Sequence, residues 1–307
     1  MNSSTSSFRA YVAVLLLFSG AVFLAGLAAS EWLVRTRVEP NDQLPAHLRL
    51  FHSTHEASVG FGDSHMACGF SPPAGMVNLA FPGENIETIA YKARTYFSRR
   101  LPGRVIVQAE AHMFARYRTA ATRGYNELFD QAPDEQPGLS IRALGSYHRP
   151  KLFAYWQVLW RKGSFESRSK LVQNGATECN DHWTSVLPEA RKTQARERAA
   201  LHQPADDFAR SAFAALYQRL LEGLVSKGAR VCLVEFPVSP EYKREMPVES
   251  YEAARSWFAA QARRLDLRLL PYAGLYAQTP ELFSDMDHLT PEGAARFSQR
   301  ILDECFK

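Results

Sequence analysis

The segment ARVCLVEFP, residues 229–237, constrains the fold of this chain more than any other feature of its sequence. Every position from Val231 to Val234 is apolar, and such a run is typical of a strand buried on both faces of a parallel sheet. Other short apolar runs occur in ASVGFG, GMVNLAF, GRVIVQ and DLRLLPY. Helical patterns separate these runs, so the sequence predicts an α/β fold built on a parallel sheet.

Capping residues mark the ends of two of the predicted helices. Gly228 follows a stretch in which Phe208, Leu216 and Leu224 share one helical face, and glycine is common just after a helix. Thr290 precedes Pro291, and a threonine N-cap followed by proline at the first helical position predicts the last helix. In parallel sheets of this kind, functional groups lie beyond the carboxyl ends of the strands.

The segment from Tyr11 to Ala29 carries no charged residue. A helix of this length approaches the roughly 30 Å thickness of the hydrocarbon layer, at about 1.5 Å per residue. A cleaved signal peptide ending near LAAS is the alternative, but signal cores are usually about 7–15 residues long. We therefore expect a single-pass anchor in the inner (cytoplasmic) membrane, with the large domain outside the cytoplasm.

The sequence predicts three parts. Residues 1–38 form the anchor and a juxtamembrane segment, and residues 39–56, rich in helix-breaking residues, form a linker. Residues 57–307 form the main domain, in which residues from about 115 to 200 have weak periodicity and are interpreted as an irregular insertion or lid.

Charge and cysteine spacing exclude several functions. The net charge is only +4 and no basic stripe is interleaved with aromatic residues, so nucleic-acid binding is not expected. The four cysteines lack metal-ligand spacing, and no metal or cofactor is predicted. Cys232 is interpreted as a small buried apolar residue, whereas Cys179, in a polar loop, is the one suspected of disulfide pairing.

Two short motifs at opposite ends of the main domain carry the candidate chemistry. GDSH places Ser64 where the chain leaves a predicted strand, which exposes its hydroxyl. DMDH places His288 just before the last helix, three residues after Asp285. A nucleophilic serine needs a base, and the base needs a group that orients it. Asp285 is favoured over Asp287 for that role because a tight loop brings it round to the imidazole.

These motifs resemble those of the SGNH (GDSL-like) hydrolase superfamily. GDSH matches its first block and DMDH its last, which implies a triad of Ser64, His288 and Asp285. NLAFPG resembles the second block, which implies that the backbone N–H groups of Gly83 and Ser64 form the oxyanion hole. The resemblance implies a three-layer, flavodoxin-like α/β fold.

The third block departs from the family pattern. The family places an asparagine there, but this chain has VIVQAEAHMF, in which His112 is the best candidate for the third oxyanion donor. The chain is also similar to membrane-anchored members of the superfamily that include the D-alanyl transfer protein of teichoic acid modification and the SGNH-like proteins of alginate acetylation. This similarity implies an esterase or O-acyltransferase that acts on an acylated carbohydrate of the cell envelope, together with a membrane-bound O-acyltransferase.

Other interpretations remain open. A catalytically degenerate domain of the same type would bind glycan or scaffold a polysaccharide modification complex. Asp63-Ser64-His65 also matches the Asp-x-His pattern that is the first motif of metallophosphoesterase metal sites. The chain lacks the Gly-Asn-His segment that such enzymes need. His65 is interpreted as a pocket wall or a structural residue.

Overall fold

The computed structural model describes residues 4–33, 43–119, 126–130 and 169–307. The chain divides into two compact units, of which one contains the N-terminal helix α1 (Ser4–Leu33) and the other contains residues 46–133 and 168–307. Within α1, the segment from Phe8 to Ser30 has a mean hydropathy of 2.5 and is long enough to cross a membrane. The prediction of an apolar N-terminal helix is therefore confirmed; a signal sequence near the N-terminus can satisfy the same criteria of length and composition.

A five-stranded, all-parallel sheet forms the centre of the larger unit, in the order β2-β1-β3-β6-β7. Its strands are β1 (Ser58–Phe61), β2 (Met76–Asn78), β3 (Arg104–Gln108), β6 (Arg230–Glu235) and β7 (Arg268–Pro271). The intervening β4 (Ser169–Leu171) and β5 (Thr177–Cys179) pair antiparallel in a separate ribbon. The predicted α/β fold with a parallel sheet is confirmed.

The helices of this unit are mostly short, and they connect or cover the strands. They are α2 (Gln43–Ser53), α3 (Ser64–Gly69), α4 (Ile86–Tyr96), α5 (Pro188–Leu201), α6 (Ala212–Ser226), α7 (Pro240–Glu245), α8 (Val248–Arg264) and α9 (Pro291–Cys305). Helix α4 packs against α6, and α3 packs against α9. The apolar side chains of β1, β3 and β6 are buried in one core.

The predicted start of α9 and the predicted end of α6 agree with the structure, whereas Phe208 lies in a 3₁₀ turn before α6, which begins at Ala212. The Thr290 hydroxyl accepts a hydrogen bond from Gly293 N at the start of α9, and Pro291 occupies its first position. Gly228 lies two residues beyond the end of α6 with φ of +83°, a left-handed conformation that favours glycine.

Helix α2 lies within residues 39–56, where the sequence predicts a linker. It buries His47 and Phe51 against the core. His47 Nε2 lies 3.2 Å from Nζ of the buried Lys92, whose ammonium also donates to Glu84 at 2.6 Å. Proline and polar residues pointed to a linker here, but a proline is tolerated in the first turn of a helix.

The region interpreted as an irregular insertion or lid is partly described. Residues 120–125 and 131–168 of it lie outside the described residues. The remainder includes the β4–β5 ribbon and the 14-residue helix α5, which begins at Pro188. This helix buries only Ala195 and Ala199, which explains why its sequence shows little apolar periodicity.

Two disulfide bonds join distant parts of the larger unit. Cys68 on α3 pairs with Cys179 on β5, and Cys232 on β6 pairs with Cys305 at the end of α9. The suspicion that Cys179 forms a disulfide is confirmed. The interpretation of Cys232 as an unpaired residue is wrong: it is completely buried, but α9 brings Cys305 against it.

Candidate functional site

The turn between β1 and α3 places Ser64 at the first position of a helix. Asp63 is the N-cap, and its Oδ1 accepts a hydrogen bond from His65 N at 3.0 Å. Gln108, at the end of the adjacent β3, fixes this turn: its Oε1 accepts from Asp63 N at 2.7 Å and its Nε2 donates to Asp63 Oδ1 at 2.9 Å. Ser64 is partly exposed, while its neighbours are buried.

The close approach of Gln108 requires glycine at position 62. A Cβ atom on Gly62 would lie 2.3 Å from Gln108 Oε1 and 2.8 Å from Met66 Cβ. At the other end of α3, Asn78 Nδ2 donates to the carbonyl oxygens of Met66 and Phe70 at 3.0 and 2.8 Å. Both ends of the short helix that carries Ser64 are therefore held by polar side chains from neighbouring strands.

The second half of the candidate site is the loop that precedes α9. Ser284 N donates to His288 O at 2.9 Å and closes the loop. Within it, Asp285 Oδ1 accepts from the backbone N–H groups of Asp287 and His288, at 3.0 and 2.9 Å. Asp285 Oδ2 lies 2.8 Å from His288 Nδ1. The loop therefore folds the Asp285 carboxylate onto the imidazole, as an Asp-x-x-His spacing allows.

The fold brings the two ends of the domain together. The ring centroids of His65, next in sequence to Ser64, and His288 lie 5.3 Å apart. Ser71 N donates to Ser298 Oγ at 2.7 Å, which links the end of α3 to α9. His288 Nε2 is buried, and no residue in the described ranges forms a hydrogen bond with it. That nitrogen is the atom that a serine nucleophile would use as its base.

The two other predicted oxyanion residues lie in different surroundings. Gly83 is in an exposed turn after β2, with φ of +84°. His112 is buried in a 3₁₀ turn after β3, and its ring is fixed by carboxylates: Nε2 lies 2.7 Å from Asp63 Oδ2 and Nδ1 lies 3.4 Å from Glu110 Oε2. Its role as an oxyanion donor remains a prediction, and it would require one nitrogen to leave its carboxylate.

A buried cluster of histidines and carboxylates adjoins Ser64 and His288. His65 Nδ1 is 2.7 Å from Glu110 Oε2, and His65 Nε2 is 3.3 Å from Asp287 Oδ2. Asp287 is 1% exposed, and its carboxylate also approaches His288 Nδ1 at 3.2 Å and Arg198 Nε at 3.4 Å. Neither of its oxygens forms a well-aligned hydrogen bond within the described part of the chain.

These contacts determine the charge states in the cluster. Burial alone would raise the pKa of Asp287, but the charges of His288, His65 and Arg198 hold it well below its ordinary value. Burial would lower the pKa of His65, yet Glu110 and Asp287 raise it well above its ordinary value. Burial also opposes protonation of His288, and Asp285 and then Asp287 outweigh it, so that the pKa is raised.

His202, at the end of α5, is the exception among these histidines. Burial and the neighbouring charge of His112 lower its pKa to about 2, so it is neutral at physiological pH. Its Nδ1 lies 2.6 Å from the hydroxyl of Tyr242, and its ring stacks on His112 with centroids 4.8 Å apart. The cluster therefore combines two imidazoles whose pKa is raised with one that stays neutral.

Two sets of side chains in the cluster have ligand atoms close enough to share a metal ion. Each set offers atoms within 4.8 Å of one another; one is His65, His112 and His202, and the other is His65, Asp287 and His288. In the first set His112 already faces Asp63 and Glu110, and in the second Asp287 already faces Arg198. The ion pairs give these side chains partners without a metal.

Sequence reasoning singled out Ser64, Asp285 and His288 but not the cluster behind them. Arg118, Arg198, His202 and Tyr242 belong to no motif, because three separate segments of the chain supply them. Glu110 and Asp287 gave a signal, since each is a carboxylate at a predicted site edge.

The comparisons with known proteins give little further information. No family model matches the chain, and no curated protein is significantly similar to it. One solved structure, described as "a putative platelet activating factor from Streptococcus pneumonia", is 13% identical with a TM-score of 0.37. The similarity covers 92% of this chain and 99% of that one. A likeness at this level carries no argument about activity or substrate.

Proposed function

We propose that the chain is a serine acyl-ester hydrolase or O-acyltransferase of the SGNH type, with Ser64, His288 and Asp285 as its triad. The observation that carries the proposal is the state of His288: Nδ1 is held by Asp285, while Nε2 is buried without a hydrogen-bond partner among the described residues. An imidazole oriented on one side and free on the other is what a general base requires. The strand order, 2-1-3-4-5 when the strands of the parallel sheet are numbered along the chain, supports the flavodoxin-like fold that this assignment implies.

The proposed reaction has two balanced steps. Ser64 Oγ attacks the acyl carbon of an ester and loses its proton to His288 Nε2, while Asp285 stabilises the imidazolium that forms. The C–O bond of the ester breaks, and the leaving alcohol takes that proton from His288. Water or a sugar hydroxyl then attacks the acyl-enzyme by the reverse route. The backbone N–H groups of Ser64 and Gly83, with His112 as a third donor, are the proposed oxyanion hole.

We further propose an extracytoplasmic location, with α1 as the anchor in the inner membrane. Two disulfides in the larger unit support this proposal, because disulfides persist mainly in oxidising compartments. The substrate class, an acylated carbohydrate of the cell envelope, and a membrane-bound O-acyltransferase as the source of acyl groups follow from the resemblance alone.

A binding role is the second candidate. It is favoured by the environment of His112, whose two nitrogens both face carboxylates. An imidazole held in this way on both sides has no nitrogen left to donate to an oxyanion. Loss of that third donor would weaken oxyanion stabilisation and favour a domain that binds glycan without turning it over.

Full-length protein in detergent, treated with p-nitrophenyl acetate and with a fluorophosphonate probe, separates these candidates. We expect hydrolysis and covalent labelling at Ser64, both lost in Ser64→Ala and retained in Ser98→Ala, an exposed serine on the surface. Acetylation of an added oligosaccharide that depends on Ser64 would favour transfer over hydrolysis. Glycan binding that survives Ser64→Ala, with neither hydrolysis nor labelling, would replace the enzyme proposal with the binding role.

A further inference from the structure

Asp287 does not have the solvated environment that is usual for an aspartate in a surface loop. It is fully buried, and its two oxygens face different sides of the cluster. Oδ1 lies 3.2 Å from His288 Nδ1, the same nitrogen that Asp285 contacts at 2.8 Å. His288 therefore has two carboxylates on its Nδ1 side, one from each end of the DMD segment.

The two carboxylates differ in exposure. The Asp285 side chain is 37% exposed, whereas that of Asp287 is 0% exposed. An opposite charge in a buried place is screened less by solvent and salt than one at the surface. Asp287 therefore exerts a strong electrostatic effect on the imidazole although its hydrogen-bond alignment is poorer.

The second oxygen of Asp287 contacts His65, which is itself held by Glu110. Asp287 Oδ2 lies 3.3 Å from His65 Nε2, and the other nitrogen of His65 lies 2.7 Å from Glu110 Oε2. Glu110 is anchored at the end of β3: its Oε1 accepts from Phe236 N at 3.2 Å and from Gln108 Nε2 at 3.1 Å. A continuous series of alternating carboxylates and imidazoles thus runs from the sheet to His288.

We propose that Asp287 is a second positioning residue for His288, held in place by His65 and Glu110, and that it shares the Nδ1 side of the imidazole with Asp285. Its catalytic consequence rests on the proposed function, whereas its effect on the protonation of His288 does not. When Asp285 is neutralised, Asp287 is placed to accept the Nδ1–H bond in its stead.

Charged and titratable groups from several elements face this pair. They are His65 on α3, Arg118 after β3, Arg198 and His202 at the end of α5, Tyr242 on α7, and Asp285 in the same loop. The proposal therefore makes two predictions of opposite sign. Removing the negative charge of Asp287 should make imidazolium formation at His288 less favourable, and removing the cation at His65 should make it more favourable.

The test is the titration of His288 by NMR, in full-length protein labelled with ¹⁵N-histidine in detergent micelles and assigned with His288→Gln. We expect Asp287→Asn to lower the pKa of His288 by about one unit, since an opposite charge at this distance shifts a pKa by about 1–3 units. His65→Gln should raise it, and the exposed Asp206→Asn should leave it unchanged. A merely structural role for Asp287 would lower stability without lowering the pKa of His288 in Asp287→Asn.

Hydrolysis of p-nitrophenyl acetate gives the second readout. A neutralised triad carboxylate costs on the order of 10⁴-fold in turnover when nothing replaces it. With two carboxylates available, we expect Asp285→Asn to lose at most about 100-fold, and the double variant Asp285→Asn/Asp287→Asn to lose about 10⁴-fold. In Asp287→Asn the acidic limb of the pH profile should move to lower pH.

The outcomes separate this inference from the proposed function. If wild type shows no Ser64-dependent hydrolysis but the two opposite pKa shifts are found, the proposed function fails and the positioning of His288 stands. If hydrolysis is found but neither variant shifts the pKa of His288, and the double variant is no worse than Asp285→Asn, the inference is overturned. Should Asp287→Asn fail to fold, Asp285→Asn decides: the pKa of His288 stays raised if Asp287 replaces the lost carboxylate, and it falls to its ordinary value or below if Asp287 does not.

Discussion

Asp63 and Arg118 form a buried ion pair, with Oδ2 of the carboxylate 2.6 Å from Nη2 of the guanidinium. The same guanidinium donates to the carbonyl oxygen of Glu84 at 2.6 Å and to the Tyr117 hydroxyl at 2.7 Å. Burial would raise the pKa of Asp63, but Arg118 and then His112 hold it well below its ordinary value. The N-cap of the helix that carries Ser64 is therefore a charged group stabilised by a cation from another segment.

Replacing Arg118 should destabilise the fold strongly. Arg118→Met leaves the Asp63 charge buried without its main partner, which typically costs about 3–5 kcal/mol. Arg118→Lys keeps the charge but loses the planar fork, so its effect should be smaller. The free energies of unfolding from urea titrations of the two variants provide the measurement, and equal losses would show that the charge of Arg118 is unimportant.

Reduction of the disulfides should lower stability without abolishing the fold. Removing a crosslink typically costs about 2–4 kcal/mol, mainly because the unfolded chain gains freedom. Cys68→Ser/Cys179→Ser should also slow fluorophosphonate labelling at Ser64, since Cys68 lies on the same short helix. Cys232→Ser/Cys305→Ser is the matched control, with an expected loss of thermal stability alone.

Substitution of Gly62 should disrupt the turn that presents Ser64. In Gly62→Ala the new methyl group would overlap Gln108 Oε1, so the Gln108 side chain must release Asp63. We expect a loss of about 1–3 kcal/mol from overpacking, measured by thermal unfolding. Gly223→Ala is the control, because a Cβ atom there meets no atom within 4 Å. Equal stability of the two variants would contradict the role assigned to Gly62.

Stability should depend on pH through Glu235, at the end of β6. Burial, first of all, raises its pKa to about 7 from an ordinary value of 4.5. The folded protein therefore binds a proton more readily than the unfolded chain does, and stability falls as pH rises from 4.5 to 7. Glu235→Gln keeps an acceptor for the Tyr251 hydroxyl and removes the charge.

The variant should gain stability over wild type at pH 8, by on the order of 3 kcal/mol, and little at pH 4. Chemical unfolding at both values measures the difference. A gain of the same size at both values would mean that packing, and not ionisation, accounts for the effect.

Local chain chemistry made most of the sheet predictable. The apolar run around Cys232 could only be a buried strand, and Thr290 with Pro291 marked the start of α9 because capping depends on neighbouring residues alone. Helices α2 and α5 were not predicted from the sequence. Pro45 suggested a helix break in α2, and α5 lacks an apolar period because most of its surface is exposed. Where burial is slight, the sequence carries little periodic signal.

The candidate site likewise has a part that local motifs predicted and a part that they did not. Ser64 and His288 stood out because each lies in a short motif with a chemical meaning. The contacts of His65 with Glu110 and Asp287 depend on how three separate segments pack, over sequence distances that no local pattern records. Tertiary packing alone turns an ordinary histidine beside the serine into part of a charged series.

The two disulfides also enclose parts of the candidate site in covalent rings, while Ser64 lies outside both. The bond between Cys68 and Cys179 closes one ring that contains Gly83 and His112, and the bond between Cys232 and Cys305 closes another that contains Asp285 and His288. A protease that cuts once inside either ring releases no fragment until the bond is reduced. A chain nicked inside either ring would thus keep both halves of its candidate site on one covalently connected molecule.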